Sequence, residues 1–212
     1  MSTTDAMRIA IQGARGAFSE QAARQLLAAA RPPISGRPPD APTPSRKRVG
    51  GPGGRAAELV YCRSFEDVLA TLAAAAAECA LLPVENTVAG PVRAAQALLA
   101  RAPVRVEAET RLRIELALIV RPGGALEQVR RASSHPVALA QCGRFLAAHP
   151  AITPEPGWDT AGSVEDMMAS GDAALAAIAS PWAAAVYGAE IAAAAIGDCR
   201  DNFTRFVLVR RR

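Results

Sequence analysis

Histidine is scarce in this chain of 212 residues, which contains only His135 and His149. With so few imidazoles, a serine–histidine–acid triad is hard to build and a histidine-based metal site is harder. The cysteines are scattered, with no CxxC pair, at Cys62, Cys79, Cys142 and Cys199. We therefore expect no metal site and interpret the cysteines as reduced packing residues.

Long apolar runs and an export signal are also missing. No apolar stretch reaches the roughly 20 residues that a membrane-spanning helix needs without being broken. The N-terminal residues MSTTDAMRIA do not combine a charged segment with a following apolar one. We expect a cytoplasmic protein with no membrane partner.

Positive charge is concentrated in one segment and is sparse elsewhere. Residues 31–56 contain six basic residues, one acidic residue and seven prolines. The segment therefore has a net charge of +5 and the rest of the chain a net charge of −1, which together give the formal net charge of +4. Aromatic residues, which would accompany a surface that binds nucleic acid, are absent from this segment. The segment predicts a disordered, solvated insert at about 31–56 and no nucleic-acid partner.

The glycine loop after the first apolar run does not match a nucleotide-binding fingerprint. Gly13 and Gly16 are spaced GxxG, the third glycine is missing, and no GK[ST] follows. We therefore expect no nucleotide cofactor, and no other cofactor is indicated.

Apolar runs alternate with alanine-rich amphipathic segments along the chain. The predicted strands are 8–12, 59–64, 79–86, 104–122 (two lengths), 172–180 and 203–210. The predicted helices are 21–30, 65–78, 90–102, 125–132, 137–149, 159–171 and 181–196. Strand and helix in alternation favour α/β layers with mostly parallel pairing, in which ligands bind beyond the carboxyl ends of strands.

Polar clusters stand where helices begin, in QGARGAFS, VENT, SSHP and DTAGS. Backbone N–H groups and short hydroxyls at a helix start can bind a carboxylate or phosphate, but the same residue types cap helices for stability alone. The final strand is different because Thr204 and Arg205 interrupt an otherwise apolar run. Their side chains must point to opposite faces, so only one of them can face a given cleft.

The motifs QGARGAFSEQAA, SFEDVLATL, LLPVENTVAGPV, SSHPVALAQC, DTAGSVEDM, AAIAS and DNFTRF resemble, in this order, those of the prephenate dehydratase family. The resemblance covers nearly all of the chain outside the insert. Each motif is weak alone, but LPVEN, HPxALxQC and NxTRF in sequence are specific.

The resemblance implies one catalytic domain over 1–212, built as two α/β lobes with mixed, mostly parallel sheets around a central cleft, similar to type 2 periplasmic binding proteins. Lobe one would comprise about 7–86 plus about 198–212, and lobe two about 87–197. A C-terminal regulatory ACT domain is not expected, and relatives suggest a homodimer.

The implied activity is that of a carbon–oxygen lyase, the decarboxylating dehydration of prephenate to phenylpyruvate in L-phenylalanine biosynthesis. Two alternatives remain open. One is an arogenate dehydratase, whose substrate carries an amino group in place of the keto oxygen. The other is a catalytically silent two-lobe protein that only binds a ligand.

The resemblance also implies a set of site residues. Thr204 matches the family's essential threonine, whose hydroxyl bonds the departing oxygen. The expected substrate-binding residues are Asn86, Thr87, Ser134, Gln141, Thr160, Ser163, Arg205 and Phe206. Two positions depart from the pattern: Leu116 replaces a histidine found in many relatives, and Val137 replaces a common glutamine.

Overall fold

In this computed structural model the structure describes residues 6–29, 49–50 and 56–212. The predicted insert at about 31–56 therefore lies outside the described residues, apart from Val49–Gly50 and Ala56. Val49–Gly50 forms a short strand that pairs antiparallel with the strand beginning at Ala56. The proposed disorder of the remainder stays a prediction.

Strands and helices largely alternate along the described chain, although some consecutive strands have no helix between them. The strands are β1 (Met7–Gln12), β2 (Val49–Gly50), β3 (Ala56–Cys62), β4 (Cys79–Asn86), β5 (Gly90–Pro91), β6 (Val104–Arg113), β7 (Ala117–Val120), β8 (Arg131–Ser134), β9 (Thr153–Pro156), β10 (Leu175–Ala179), β11 (Glu190–Ala193) and β12 (Phe203–Arg211). The helices are α1 (Phe18–Ala29), α2 (Phe65–Ala73), α3 (Arg93–Arg101), α4 (Pro136–Ala140), α5 (Gly143–Ala148), α6 (Thr160–Ser170) and α7 (Pro181–Tyr187), with a 3-10 turn at Leu126–Gln128.

Two sheets form two lobes, which confirms the predicted α/β architecture. In the described residues the first sheet has the order β2-β3-β1-β4-β12-β6, with β5 beside β4, and the second has the order β11-β7-β10-β8-β9. The strands β1 and β4 read as nearly continuous apolar runs because helices cover both faces of the sheet.

The sheets are mixed, but the expectation of mostly parallel pairing is wrong. Parallel pairs join β1 to β3 and β4, and β8 to β9 and β10, whereas the other pairings among the described strands are antiparallel. The cause is the return of the chain. Because β12 enters the first sheet from the second lobe, it runs antiparallel to both of its neighbours, β4 and β6.

The structure also corrects the predicted lobe boundary. The chain does not leave the first lobe after Asn86, because β5, α3 and β6 remain with the first sheet and β6 pairs with β12 from Val104 to Arg113. The crossing occurs at 114–116, and the return occurs at 197–202. The two connections touch, since the Ile114 N–H donates to the Asn202 carbonyl at 2.8 Å.

Three strands of the second lobe were missed from the sequence. β8 lies inside a region predicted as helix and turn, and β9, which contains two prolines, lies in a stretch that was assigned to no strand or helix. The helix predicted over 181–196 ends at Tyr187, because Gly188 takes a left-handed conformation with φ of 67°. The residues after it form β11, which pairs antiparallel with β7.

A bulge next to the cleft places the start of α3. Between Arg205 and Phe206 the register of β12 against β4 shifts from Glu85 to Pro83, which leaves Val84 outside the ladder. The Val84 carbonyl instead accepts hydrogen bonds from Val92 N at 3.0 Å and from Gln96 Nε2 at 2.8 Å. The first turn of α3 is thereby held against the end of β4.

None of the helices within the described residues combines the length and the apolar character needed to cross a membrane.

The pairing of β12 with β6 can be tested with two valines that lie opposite each other. Val209 on β12 is fully buried, whereas its partner Val106 on β6 is 56% exposed. Val209→Ala should lower the free energy of unfolding by about 2 kcal/mol through lost burial and an unfilled cavity. Val106→Ala, the matched control, should change it by no more than about 0.5 kcal/mol. If urea unfolding showed equal losses of the free energy of unfolding for Val209→Ala and Val106→Ala, this packing would be contradicted.

Candidate active site

A cleft of about 360 Å3 lies between the lobes, where several element ends meet. The first lobe contributes the end of β1, the end of β4, and the starts of α1, α2 and α3. The second lobe contributes the starts of α4 and α6, and the return connection contributes the start of β12. Its lining includes Gln12, Phe18, Ser19, Phe65, Asn86, Ile114, Leu116, His135, Val137, Gln141, Asp159, Thr160, Thr204 and Phe206.

The alternation of β12 decides which of its residues face the cleft. Thr204 and Phe206 lie on the same face, are buried, and line the cleft. Arg205 points to the opposite face, where it pairs with Glu85 at 3.3 Å and Glu109 at 3.2 Å. The expectation that Arg205 lines the substrate cleft is therefore corrected, because strand geometry sends neighbouring side chains to opposite sides.

Asn86 is the polar centre of the cleft floor. Its Oδ1 accepts hydrogen bonds from the backbone N–H groups of Val88 at 3.0 Å and Ala89 at 2.7 Å. Backbone nitrogens only donate, so this contact identifies the amide oxygen and leaves Nδ2 on the other side. Nδ2 donates to Thr204 Oγ1 at 2.9 Å. Thr204 is thus held by Asn86, which lies directly opposite it in the register of β12 and β4.

Gln141 approaches the same cluster from the second lobe. It caps the end of α4, and its Nε2 lies 3.3 Å from Asn86 Oδ1. Its Oε1 accepts from Asn202 Nδ2 at 3.0 Å. Asn202 was not among the predicted site residues, although it stands inside the DNFTRF motif. The motif was interpreted through its threonine and arginine. The signal that indicates Asn202 is its position two residues before Thr204, directly before β12.

Asp159 joins the lobes at the other side of the cleft and was also missed. This residue is the N-cap of α6, and its Oδ2 accepts from Gly162 N at 3.1 Å and from Ala14 N of the first lobe at 3.1 Å. Burial raises the pKa of this carboxyl, while the N–H groups of Ala14 and Gly162 act in the opposite direction. The sequence reading of DTAGS credited the hydroxyls of Thr160 and Ser163 and passed over the carboxylate before them.

Two hydroxyls near the second sheet that were predicted to bind substrate instead form hydrogen bonds within the protein. Ser134 is fully buried, and its Oγ donates to the Ile178 carbonyl at 2.5 Å, which ties β8 to β10. Ser163 Oγ donates to the Asp159 carbonyl at 2.8 Å and lies 3.2 Å from Ser133 Oγ. Neither side chain lines the cleft. Thr160, at the first position of α6, does line it.

Thr87 is likewise placed away from the cleft. Its Oγ1 donates to the Asp201 carbonyl and accepts from Phe203 N, both at 2.9 Å. These two bonds fasten the end of β4 to the return connection from outside. Of the nine predicted residues, the structure brings together Asn86, Gln141, Thr160, Thr204 and Phe206, and it leaves Thr87, Ser134, Ser163 and Arg205 outside the cleft.

The charge of the cleft wall is unusual for an anion site. Among the described residues that line it there is no lysine or arginine, and the one carboxylate is that of Asp159. Positive potential comes instead from backbone dipoles at the starts of α1 and α3, which both begin at the cleft, while the start of α6 is capped by the Asp159 carboxylate. Val92, at the N-cap of α3, supplies no side-chain acceptor to the N–H groups that follow it. Leu116 and Val137, the two departures from the motif pattern, both lie in the lining.

Within the described part of the chain, no cluster of histidine, cysteine, aspartate and glutamate has the makings of a metal site.

Comparisons with known proteins agree with this arrangement. The sequence model of the prephenate dehydratase family matches residues 9–212. The "arogenate dehydratase/prephenate dehydratase 2, chloroplastic" of Arabidopsis thaliana is 31% identical over 100% of this chain and 48% of its own length. A "bifunctional N-acyl-homoserine lactone acylase/prephenate dehydratase" of Komagataeibacter europaeus is 33% identical over 96% of this chain and 63% of its own length.

A solved structure supports the same likeness. The prephenate dehydratase of Arthrobacter aurescens, determined in complex with L-Phe, is 29% identical and superposes with a TM-score of 0.77. The match covers 97% of this chain and 61% of that one. The chain therefore spans only part of the length of the relatives it matches.

Proposed function

Because the chain belongs to the prephenate dehydratase family, we propose that it converts prephenate to phenylpyruvate, a step of L-phenylalanine biosynthesis. The observation that carries this proposal is the placement of Thr204. Its Oγ1 lines the cleft and accepts a hydrogen bond from Asn86 Nδ2. Among the described residues no acceptor takes the Thr204 hydroxyl hydrogen, so that hydrogen is available to a ligand.

The reaction needs little covalent chemistry from the protein. The bond between the ring and its carboxylate breaks to release CO2, and the electron pair moves through the ring and expels the ring hydroxyl as hydroxide. A proton turns the departing hydroxide into water, and the ring becomes aromatic. Thr204 supplies a hydrogen bond to the departing oxygen, where negative charge grows in the transition state. A threonine hydroxyl is too weak an acid to be assigned the net proton transfer.

The remaining lining suits the two ends of the substrate. The N–H groups at the starts of α1 and α3 hold the pyruvyl carboxylate without a buried cation, whereas those of α6 are already occupied by the Asp159 carboxylate. Apolar side chains, including those of Phe65, Ile114 and Phe206, surround the ring. A carboxylate that is to leave as CO2 loses its charge, so a poorly hydrated wall without a cation favours its departure.

Replacement of Thr204 tests this role. Thr204→Val preserves the shape of the side chain and removes the donor, and it should lower kcat on prephenate by about 100-fold or more. Thr204→Ser keeps the hydroxyl and should retain most of the activity. Thr110→Val on the neighbouring strand β6 is the matched control, since Thr110 Oγ1 bonds Gln25 outside the cleft. A Thr204→Val enzyme as fast as wild type would exclude Thr204 as the donor.

One observation favours arogenate as a second candidate substrate. The carboxylate of Asp159 faces the cleft in a wall whose described residues carry no lysine or arginine. Prephenate presents two negative charges and a keto oxygen, whereas arogenate presents an ammonium group at the same place. In a partly desolvated cleft a carboxylate attracts the ammonium and repels the dianion. Asp159 therefore raises activity on arogenate relative to prephenate.

Asp159→Asn separates the two substrates. Asparagine is nearly isosteric and still caps a helix, so α6 and the contact with Ala14 should be preserved. We expect kcat/KM to fall at least about tenfold more for arogenate than for prephenate, the size of a lost charge-assisted contact. Asp172→Asn is the control, because Asp172 pairs with Arg131 outside the cleft. Equal changes for the two substrates would remove Asp159 from substrate discrimination.

The same carboxylate predicts the direction of a pH effect. Because burial raises the pKa of Asp159, the carboxylate is lost on acidification at a higher pH than an exposed aspartate would be. The ratio of kcat/KM for arogenate to that for prephenate should therefore fall as the pH is lowered through that range. The Asp159→Asn enzyme keeps His135 in the same cleft, so any remaining pH response of the ratio belongs to other groups, and the fall caused by Asp159 should be lost.

We further propose that the protein acts in the cytoplasm as a homodimer. All four cysteines are free, and three of them are buried, as is common in a reducing compartment. The strand β6 lies at an edge of the described first sheet and is ten residues long, which offers a surface for a second copy. A solution mass equal to one chain in analytical ultracentrifugation would contradict the dimer.

A further inference from the structure

Asn202 occupies the return connection between the second lobe and β12, and it is only 3% exposed. Its carbonyl accepts from Ile114 N at 2.8 Å, so it also touches the outgoing connection. Its side-chain amide bonds the side chains of Asn86 and Gln141, which come from different lobes. A buried asparagine at such a crossing is a specific arrangement, because an unpaired amide there would be costly.

The three amides close a ring of hydrogen bonds with one direction. Asn86 Nδ2 donates to Asn202 Oδ1 at 2.7 Å, Asn202 Nδ2 donates to Gln141 Oε1 at 3.0 Å, and Gln141 Nε2 lies 3.3 Å from Asn86 Oδ1. Within the ring, each side chain donates one hydrogen bond and accepts one. The ring carries no net charge and joins both lobes to the return connection.

The direction of the ring is fixed by the backbone. The N–H groups of Val88 and Ala89 both donate to Asn86 Oδ1, which prevents the Asn86 amide from turning over. Its Nδ2 must then face Asn202, which must offer Oδ1, and Asn202 must offer Nδ2 to Gln141. The orientation of the Asn86 amide thus determines the orientations of the Asn202 and Gln141 amides.

The ring matters for catalysis because Nδ2 of Asn86 has two hydrogens and three nearby acceptors. Asn202 Oδ1 takes the shortest bond, at 2.7 Å, while Thr204 Oγ1 lies at 2.9 Å and the Phe203 carbonyl at 3.3 Å. With one hydrogen held by Asn202, the other is directed to Thr204. Thr204 is then an acceptor on its protein side and a donor on its cleft side.

We propose that Asn202 is a positioning residue that fixes Thr204 as a hydrogen-bond donor toward the substrate. The proposal rests on the proposed dehydratase function. Without the Asn202 amide, Asn86 Nδ2 loses its shortest partner and shifts toward the Phe203 carbonyl, and Gln141 loses the donor that holds its Oε1. The Thr204 hydroxyl is then free to rotate away from the departing oxygen. Because Gln141 belongs to the second lobe, the same ring links this orientation to contact between the two lobes.

A double-mutant cycle with Thr204 tests the proposal. Asn202→Ala should lower kcat about tenfold or more while KM changes by less than about threefold, since the hydrogen bond gains strength in the transition state. In the Thr204→Val background, where no donor remains to be oriented, the same replacement should change kcat by less than about twofold. A purely structural role for Asn202 would lower kcat by the same factor in both backgrounds, and that result would overturn the proposal.

A second variant at the same position, Asn202→Asp, tests the orientation mechanism in another way. Asn202→Asp has the same shape and retains the acceptor for Asn86, so its kcat should exceed that of Asn202→Ala, while its added charge should raise KM for an anionic substrate. If Asn202→Ala does not fold, the cycle is run with the Asp variant, which loses the donor to Gln141 Oε1 and should therefore show coupling to Thr204 of the same sign but smaller size. A kcat for Asn202→Asp no higher than that of a folded Asn202→Ala would count against the orientation mechanism.

Thr87→Val is the control for loosening of the return connection. It removes two bonds to the same segment from outside the cleft, at Asp201 and Phe203. Its effect on kcat should be the same in the wild-type and Thr204→Val backgrounds. Coupling to Thr204 as strong as that of Asn202 would show that any loosening disturbs the hydroxyl and would overturn the specific role of Asn202.

A wild-type chain that is inactive on both prephenate and arogenate would overturn the proposed function itself. An active wild type in which the effects of Asn202→Ala and Thr204→Val are uncoupled would overturn this inference alone.

Discussion

The site depends on the insertion of β12 between β4 and β6. This strand arrives from the second lobe and completes the first sheet, so its first residues necessarily lie at the boundary between the lobes. Its register sets Thr204 against Asn86, and the adjacent bulge moves Val84 out of the ladder to hold α3. A slip of one residue would turn Arg205 into the cleft and Thr204 out of it. The ion pairs of Arg205 on the opposite face and the hydrogen bond from Asn86 to Thr204 form only in the observed register.

Most helices, the main strands of the first sheet and the residues on the cleft floor were accessible from the sequence because they depend on local patterns. Apolar runs marked β1, β4 and β12, and the motifs identified Asn86, Gln141 and Thr204. The errors arose where tertiary pairing decides. The lobe boundary depends on β6 pairing with a strand about 100 residues later in the chain, and nothing local in 104–113 reveals that partner. Propensity also favoured helix over 188–196, where pairing with β7 produces a strand.

The misassigned site residues share a physical cause. Ser134, Ser163 and Thr87 stand at element ends, where a hydroxyl can serve a ligand or satisfy the protein's own backbone. The sequence cannot distinguish these uses, since both require the same residue type at the same place. The structure decides between them, because each of these hydroxyls already bonds a carbonyl of the protein. Asn202 and Asp159 were missed because the contacts that place them in the site, with Asn86, Gln141 and Ala14, lie on segments that are distant in sequence.

The use of amides in place of cations follows from the chemistry of the proposed reaction. A lysine or arginine beside the departing carboxylate would stabilise the reactant, whose charge is lost as CO2 forms, and would slow the step it was meant to assist. A neutral ring of amides avoids this penalty and still defines a direction, because backbone N–H groups fix the orientation of Asn86. Preorganised dipoles need little reorganisation as charge develops on the departing oxygen. The cleft can therefore favour the transition state through the orientation of one hydroxyl, while its binding of the retained carboxylate is left to the helix starts.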